Sequence, residues 1–290
     1  MKYQFIENHR SAFAVEKMCR SLQISKSGYY AWRVRPKSKR DLANDKLDHH
    51  IRTTYKQNKG RCGSPRITEA LKVQGIDCSE NRVARRMRKN NIKAKTKKRF
   101  KVTTHSKHDH PIADNLLGQN FTAQRPDQVW ASDITYLWTR EGWLYLAVIL
   151  DLFSRRIVGW SLSHRLGQEL VLNAFQQALW RRRPDPGVIF HSDRGVQYAC
   201  TAFRNLLQQH KFIQSMSGKG NCYDNAVVES FFHTLKTELV YFETYCTRED
   251  AKNSVFEYME TYYNRTRLHS TLNYCSPVEF EQRWSTTIAA

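Results

Sequence analysis

Three acids stand where packing alone would not choose them. Asp133 interrupts a run otherwise made of Val129, Trp130, Ile134, Tyr136 and Leu137. Asp193 closes the apolar run Val188-Ile189-Phe190 with Arg194 and Gly195 behind it, and Glu229 sits between Val228 and Phe231-Phe232. Asp133 and Asp193 are 60 positions apart, and 35 residues separate Asp193 from Glu229. Carboxylates brought together repel one another unless protons or cations intervene. Hard divalent cations with oxygen ligands are the natural answer, Mg²⁺ being the usual one. Two such ions ~3.5–4 Å apart can activate a water or hydroxyl for attack on phosphorus and stabilise the leaving oxygen. Any one of these acids could equally be satisfied by a cap, a hydrogen bond or an ion pair. Asp151, beside Arg155 and Arg156, and Asp224, ahead of the last helix, are read in that way. Two strand positions and one helix position together favour a shared metal site.

The elements that must position these acids read as an α/β plan. "DQVWASDITYLWT" alternates like a strand, "GWLYLAVILDLFSR" is apolar throughout, and "RIVGWSLSH" makes a third strand, with Gly142 and Ser154-Arg155 at the turns. Helix, strand, helix, strand and helix follow, the second of these elements ending at Asp193 and the last being "CYDNAVVESFFHTLKTEL". An acid at the carboxyl end of a core strand lies where open α/β sheets build their sites. At about 100° per residue, Asn225, His233 and Lys236 fall within about 40° of Glu229. Val228, Phe232, Leu235 and Leu239 cluster between about −60° and −120°. The last helix therefore presents a polar stripe containing Glu229 beside a core-facing one. Gly218 and Gly220 leave the 217–222 loop room to move ahead of it.

Charge is distributed unevenly along the 290 residues. Residues 1–110 hold 29 Lys and Arg against 9 Asp and Glu, whereas the remainder holds 18 of each, so the whole net charge of +20 lies in the first part. A basic module joined to a neutral one suggests a polyanion binder tethered to something else, nucleic acid before membrane surface. Residues 12–33 read as a helix-turn-helix, or as an ordinary helical hairpin, with Ser25 or Ser27 as a cap. "RVRPKSKRDLANDK" reads as a linker. A second pair of helices follows, with Pro65 near the start of the first, Gly75 at its end and Ser79 capping the second. That last helix carries Arg82, Arg85, Arg86, Arg88 and Lys89 around Val83 and Met87. It is a candidate for lying against DNA, or a solvated basic face. Lys97, Lys98 and Arg99 continue the charge into a basic tether, whose His105, His108 and His110 lack the partners of a metal site.

Seven scattered cysteines without a CxxC pair argue against a disulfide framework and a cysteine-based zinc site. No apolar stretch approaches the ~20 residues of a bilayer span. With no signal peptide in evidence, a reducing cytosol is expected.

"WASDITYL", "HSDRGVQY" and "SGKGNCYDNAVVESFFHTLKTEL" resemble the three acidic motifs of DDE transposases with an RNase H-like, retroviral-integrase core. The pattern is most similar to the second-frame protein (OrfB) of frameshifting bacterial insertion sequences. The 35-residue gap, Lys236 seven positions after Glu229, "YYNRTRLHSTLNYCSPVEF", "NHRSAFAVEKMCRSLQISKSGYYAW" and "RCGSPRITEAL" share in the likeness. The resemblance implies an RNase H-like mixed five-stranded sheet flanked by helices, preceded by an all-α helix-turn-helix DNA-binding region. It implies that Asp133, Asp193 and Glu229 are catalytic ligands of two Mg²⁺ ions, with Mn²⁺ able to substitute, and that Lys236 contacts DNA. It implies cleavage and joining of double-stranded transposon-end and target DNA by a homo-oligomer, with a first-frame (OrfA) protein as partner or fusion. The expected divisions are a helix-turn-helix segment over 1–40, a second basic helical domain over 41–100, a linker over 101–122, the integrase core over 123–240 and a helical segment over 241–290. No His-His-Cys-Cys spacing is present, so no zinc is expected. The rivals are a non-catalytic DNA-binding accessory subunit and a structure-selective nuclease of the same fold.

Overall fold

The computed structural model of the chain describes residues 1–95, 111–218 and 222–289. It forms two compact units, Met1–Lys93 and Ala94–Ala290.

The first unit is all helical: α1 (Lys2–His9), α2 (Val15–Ser21), α3 (Lys26–Val34), α4 (Lys39–Gln57), α5 (Ser64–Val73) and α6 (Glu80–Lys89). Of the two serines the sequence offers, Ser25 caps α3 by accepting from the Gly28 N–H at 3.0 Å, and Ser79 caps α6 at the Arg82 N–H as expected. Ile6, Met18, Cys19 and Tyr29 close one small core, and Leu47, Ile51, Ile67, Leu71, Val83 and Met87 close another. Helix α1 escapes the sequence pattern because it contributes a single buried residue, Ile6. The stretch expected to be a linker is largely α4. Ser38 accepts from the Asp41 N–H at 3.1 Å and donates to the Asp41 carboxylate at 2.6 Å, and Leu47, Ile51 and Thr54 give the helix a buried stripe. Its charge density hid a start signal of the kind that Ser followed three residues later by an acid provides.

The second unit is built on β1 (Val129–Thr139), β2 (Gly142–Asp151), β3 (Ile157–Ser163), β4 (Ile189–Ser192) and β5 (Ile213–Met216). They form the RNase H-like mixed sheet in the order β3-β2-β1-β4-β5. The first three strands run antiparallel, and β4 and β5 lie parallel to β1. Strand β2 is apolar throughout because it is covered on both faces: Leu144, Leu146, Val148 and Leu150 enter one core, Ala147 and Ile149 the other.

Helices α7 (Gln168–Arg182), α8 (Val196–Ala199) and α9 (Thr201–Gln209) cover the second of these faces through Phe175, Tyr198 and Phe203. Gly159 permits the approach of α7, since a Cβ there would sit 2.3 Å from the Ala174 carbonyl oxygen. The other face holds α10 (Ala226–Glu238), entered through a single 3₁₀ turn at Cys222–Asn225, and α11 (Arg248–Phe256), which runs on as π-helix over Glu257–Tyr263. Helix α12 (Pro277–Ala289) ends the chain's described part and is tied in by Glu281, which accepts from Arg156 at 2.6 Å, Arg182 at 2.8 Å and Ser154 Oγ at 2.7 Å. Among the described residues, no helix is long and apolar enough to cross a membrane.

Candidate active site

The parallel register of β1 and β4 ends at the pair Ser132 and Ser192. The next residue after each is an acid, Asp133 within β1 and Asp193 just past the end of β4, so the two stand side by side where strands ~4.8 Å apart part company. Alternation puts Asp133 on the face that carries Ala131 and Val129, which is the face packed against α10. Both acids are half-buried. The Asp133 carboxylate accepts from the Ile134 N–H at 2.7 Å, and that of Asp193 from the Gly195 N–H at 2.9 Å.

Helix α10 buries Val228, Phe231, Phe232 and Leu235 against the sheet and leaves Glu229 exposed and Lys236 half-buried on the neighbouring stripe. The four groups feel one another. Burial, then the charge of Asp193 and more weakly that of Glu229, hold the Asp133 carboxyl well above the usual carboxylate range, with Lys236 pulling the other way. Partial burial and then Asp193 raise Glu229. Burial pulls the Lys236 ammonium down, and Asp133 opposes it. An all-oxygen set whose members discourage one another's ionisation suits a hard divalent cation, which removes the repulsion. Among the described residues, no three His, Cys, Asp or Glu side chains are gathered tightly enough to hold a metal ion as they stand.

Two further acids have hydrogen-bond partners other than those the sequence suggests, although Arg155 does feel the charge of Asp151. Asp224 does not cap α10, whose N-cap is Asn225. Instead its carboxylate accepts from Asn115 Nδ2 at 2.9 Å and the Gly218 N–H at 2.6 Å, and its backbone holds buried His191, which also meets Ser215 Oγ at 2.9 Å. Asp151 accepts from the Asp127 and Ser154 N–H groups, both at 2.9 Å, and from Ser154 Oγ at 2.8 Å, while the Arg156 side chain goes to Glu281. Asn225, which the helical projection puts on the Glu229 stripe, donates from Nδ2 to the Ser132 carbonyl at 3.2 Å. It joins the start of α10 to the residue before Asp133. The projection could flag its stripe but not this bond.

On α6, Arg82 reaches Asn44 Oδ1 at 3.1 Å and Arg86 pairs with Asp48 at 2.7 Å, both partners lying on α4. Arg85, Arg88 and Lys89 are exposed. Lys97, Lys98, Arg99 and the three tether histidines lie outside the described residues, as does Gly220.

With the site's geometry in hand, the chain can be set beside known proteins. Residues 123–222 and 229–284 each match a model described as an integrase core domain, and residues 42–100 match an HTH-like domain. The transposase InsF of insertion sequence IS3A from Escherichia coli (strain K12) is 44% identical over 285 residues, covering 98% of this chain and 99% of that one. A 31 kDa protein of insertion element IS600 from Shigella sonnei is 39% identical over 267 residues, covering 92% and 98%. The HTLV-2 integrase catalytic core domain, solved in complex with magnesium, has a TM-score of 0.45 at 17% identity and covers 55% of this chain and 98% of that one. Similar along nearly its whole length to the InsF transposase, and carrying an HTH-like region ahead of an integrase core, this chain is a member of the IS3 family of insertion-sequence transposases.

Proposed function

We propose that this transposase cleaves and joins transposon-end DNA at a DDE site formed by Asp133, Asp193 and Glu229. The observation that carries the reading is the placement of Asp133 and Asp193 on adjacent parallel strands, with Glu229 close enough to bear on the charge of both. These three carboxylates would hold two Mg²⁺ ions, or Mn²⁺ in their place. When bound, the ions supply Lewis acidity at phosphorus and at the attacking and leaving oxygens.

The chain's own residues do the rest. The sheet sets the two aspartates, and α10 brings Glu229 and Lys236 to the same face. In cleavage a water oxygen forms a bond to phosphorus as the bond to the 3′-oxygen breaks. The water gives up its proton, the departing oxygen takes one, and a free 3′-hydroxyl results. In joining, that hydroxyl attacks a second phosphodiester in the same way. Lys236 offers its ammonium to a phosphate or base beside the reacting end. Arg85, Arg88 and Lys89, with Arg82, Arg86, Lys97, Lys98 and Arg99 adding to the field, hold end DNA through phosphate contacts. The active form is a homo-oligomer on paired ends in the bacterial cytosol, with a first-frame protein as partner or fusion. The site tightens to metal-holding geometry when DNA enters.

A strand-transfer assay on labelled ends of the flanking element, with Mg²⁺ or EDTA, tests this for wild type and Asp193→Asn. Metal-dependent joined products that vanish in the variant support it. Cleavage without joining, even with the first-frame protein added, favours a nuclease. End binding without cleavage under every condition leaves an accessory subunit.

A further inference from the structure

Asn225 is 5% exposed and sits one turn before Glu229, its Nδ2 donating to the carbonyl of Ser132, the residue before Asp133. That bond decides which way the amide faces, because turning it over would press two acceptor oxygens together. The other end of the amide, Oδ1, is buried with no hydrogen-bond partner. A buried amide oxygen without a donor is costly and uncommon, and here the segment is held in place from outside. Asp224, directly before it, is bound to Asn115, Gly218 and His191. The unpaired oxygen therefore belongs to a fixed feature at the edge of the acid site. Carboxylates holding metal ions are ionised and, like backbone carbonyls, only accept, so in the working site Asp133, Asp193 and the Ser132 carbonyl leave it wanting an O–H or N–H group from outside.

We infer that Asn225 is a further catalytic residue of this site, its Oδ1 accepting a hydrogen bond from the hydroxyl of the attacking group. This rests on the proposed cleavage and joining chemistry. In cleavage the donor is the attacking water, and in joining it is the terminal 3′-hydroxyl. The two share one chemistry, an O–H aimed so that the oxygen's lone pair faces phosphorus. No covalent step is added. The amide sets the direction of a proton that leaves later.

The test compares full-length wild type with Asn225→Ala and the nearly isosteric Asn225→Leu, which keeps the start of α10 filled if the alanine variant fails to fold. Uncleaved ends report attack by water, and pre-cleaved ends report attack by the 3′-hydroxyl. End binding in EDTA and the melting temperature are measured alongside. The expected result is a loss in kcat of ~100-fold on both substrates, the scale set by misdirecting a reacting group. KM, EDTA binding and melting should stay within about twofold or a few degrees of wild type. A loss confined to uncleaved or to pre-cleaved ends assigns the donor to water or to the 3′-hydroxyl. Rates within twofold of wild type in a folded variant overturn the inference. So does a rate loss matched by lost binding and melting, which marks a structural role. If wild type yields no product with its first-frame partner present, the functional reading itself fails and takes this inference with it.

Discussion

The strand-borne half of the acid site and its helix-borne half are held by different forces. Asp133 and Asp193 follow directly from the paired residues Ser132 and Ser192, so backbone hydrogen bonds of the sheet decide their spacing. Glu229 and Lys236 have no such ladder. Their placement depends on how Val228, Phe232 and Leu235 seat α10 on the sheet, and on the Asn225 bond to the Ser132 carbonyl. A strand register can slip only by whole residues, and a slip of one turns every side chain to the other face. A helix seated by apolar contact can shift by fractions of an ångström at small cost. The division gives the site a rigid pair and an adjustable third member, in keeping with carboxylates that sense one another yet do not already form a metal cage.

The largest effect tests the rigid half. Asp133→Asn and Asp193→Asn each remove a charge from the pair and should lower strand transfer by more than ~1,000-fold in Mg²⁺, while EDTA-phase DNA binding persists. Glu229→Gln should be comparably severe if all three acids share one duty, and rescue of this variant alone by Mn²⁺ would sharpen the contrast between the halves. Seating of α10 is tested next. Leu235 is fully buried beneath that helix, and Leu235→Ala should destabilise the second unit by about 2–5 kcal/mol in denaturant unfolding. If the helix is the adjustable element, activity should fall further than DNA binding in the same variant under folding conditions.

A smaller effect concerns Asp151, away from the trio, whose carboxyl burial pushes up from 3.8 to about 6. The folded state therefore holds a proton that the unfolded chain releases earlier. This contribution is fully present below pH ~4 and is lost as pH rises to ~6, a span of roughly 3 kcal/mol. Asp151→Asn should flatten that part of the stability–pH curve; an unchanged slope would mean the Ser154 and Asp127 donors already hold the carboxylate charged. The smallest effects lie on α6. Arg85→Ala, Arg88→Ala and Lys89→Ala should each weaken DNA binding and reduce its log–log salt slope by roughly 1, with melting unchanged. Arg86→Ala should instead lower the stability of the first unit, because it takes from Asp48 its main cationic partner.

Much of this was legible before any fold was known. Period-two alternation marked β1, an unbroken apolar run marked β2, and Ser79 marked the start of α6. What was missed has two causes, faint local pattern and partners distant in the chain. Helix α1 offers one buried residue, and α4 carries its stripe of three among nineteen mostly polar positions, so neither stands out in the string. The partners of Asp224 lay 109 and 6 positions away, at Asn115 and Gly218, and no local pattern encodes a contact with the former. Arg82 and Arg86 looked like free cations until α4 supplied Asn44 and Asp48, each 38 positions away.

By itself, the sequence determined which residues could do the chemistry and which elements would carry them, because residue type and hydrophobic period act over a few positions. Three acids, a lysine one helical stripe from the last of them, and a basic first third were all present in the string. Only the tertiary structure decided that Asp133 and Asp193 follow a paired step of adjacent parallel strands, that Glu229 stays exposed, and that Asn225, bonded to Ser132, buries an unpaired oxygen. Those outcomes depend on strand order and helix seating. Both are settled by burial and by hydrogen bonds between residues far apart in the chain, which no short window of sequence contains.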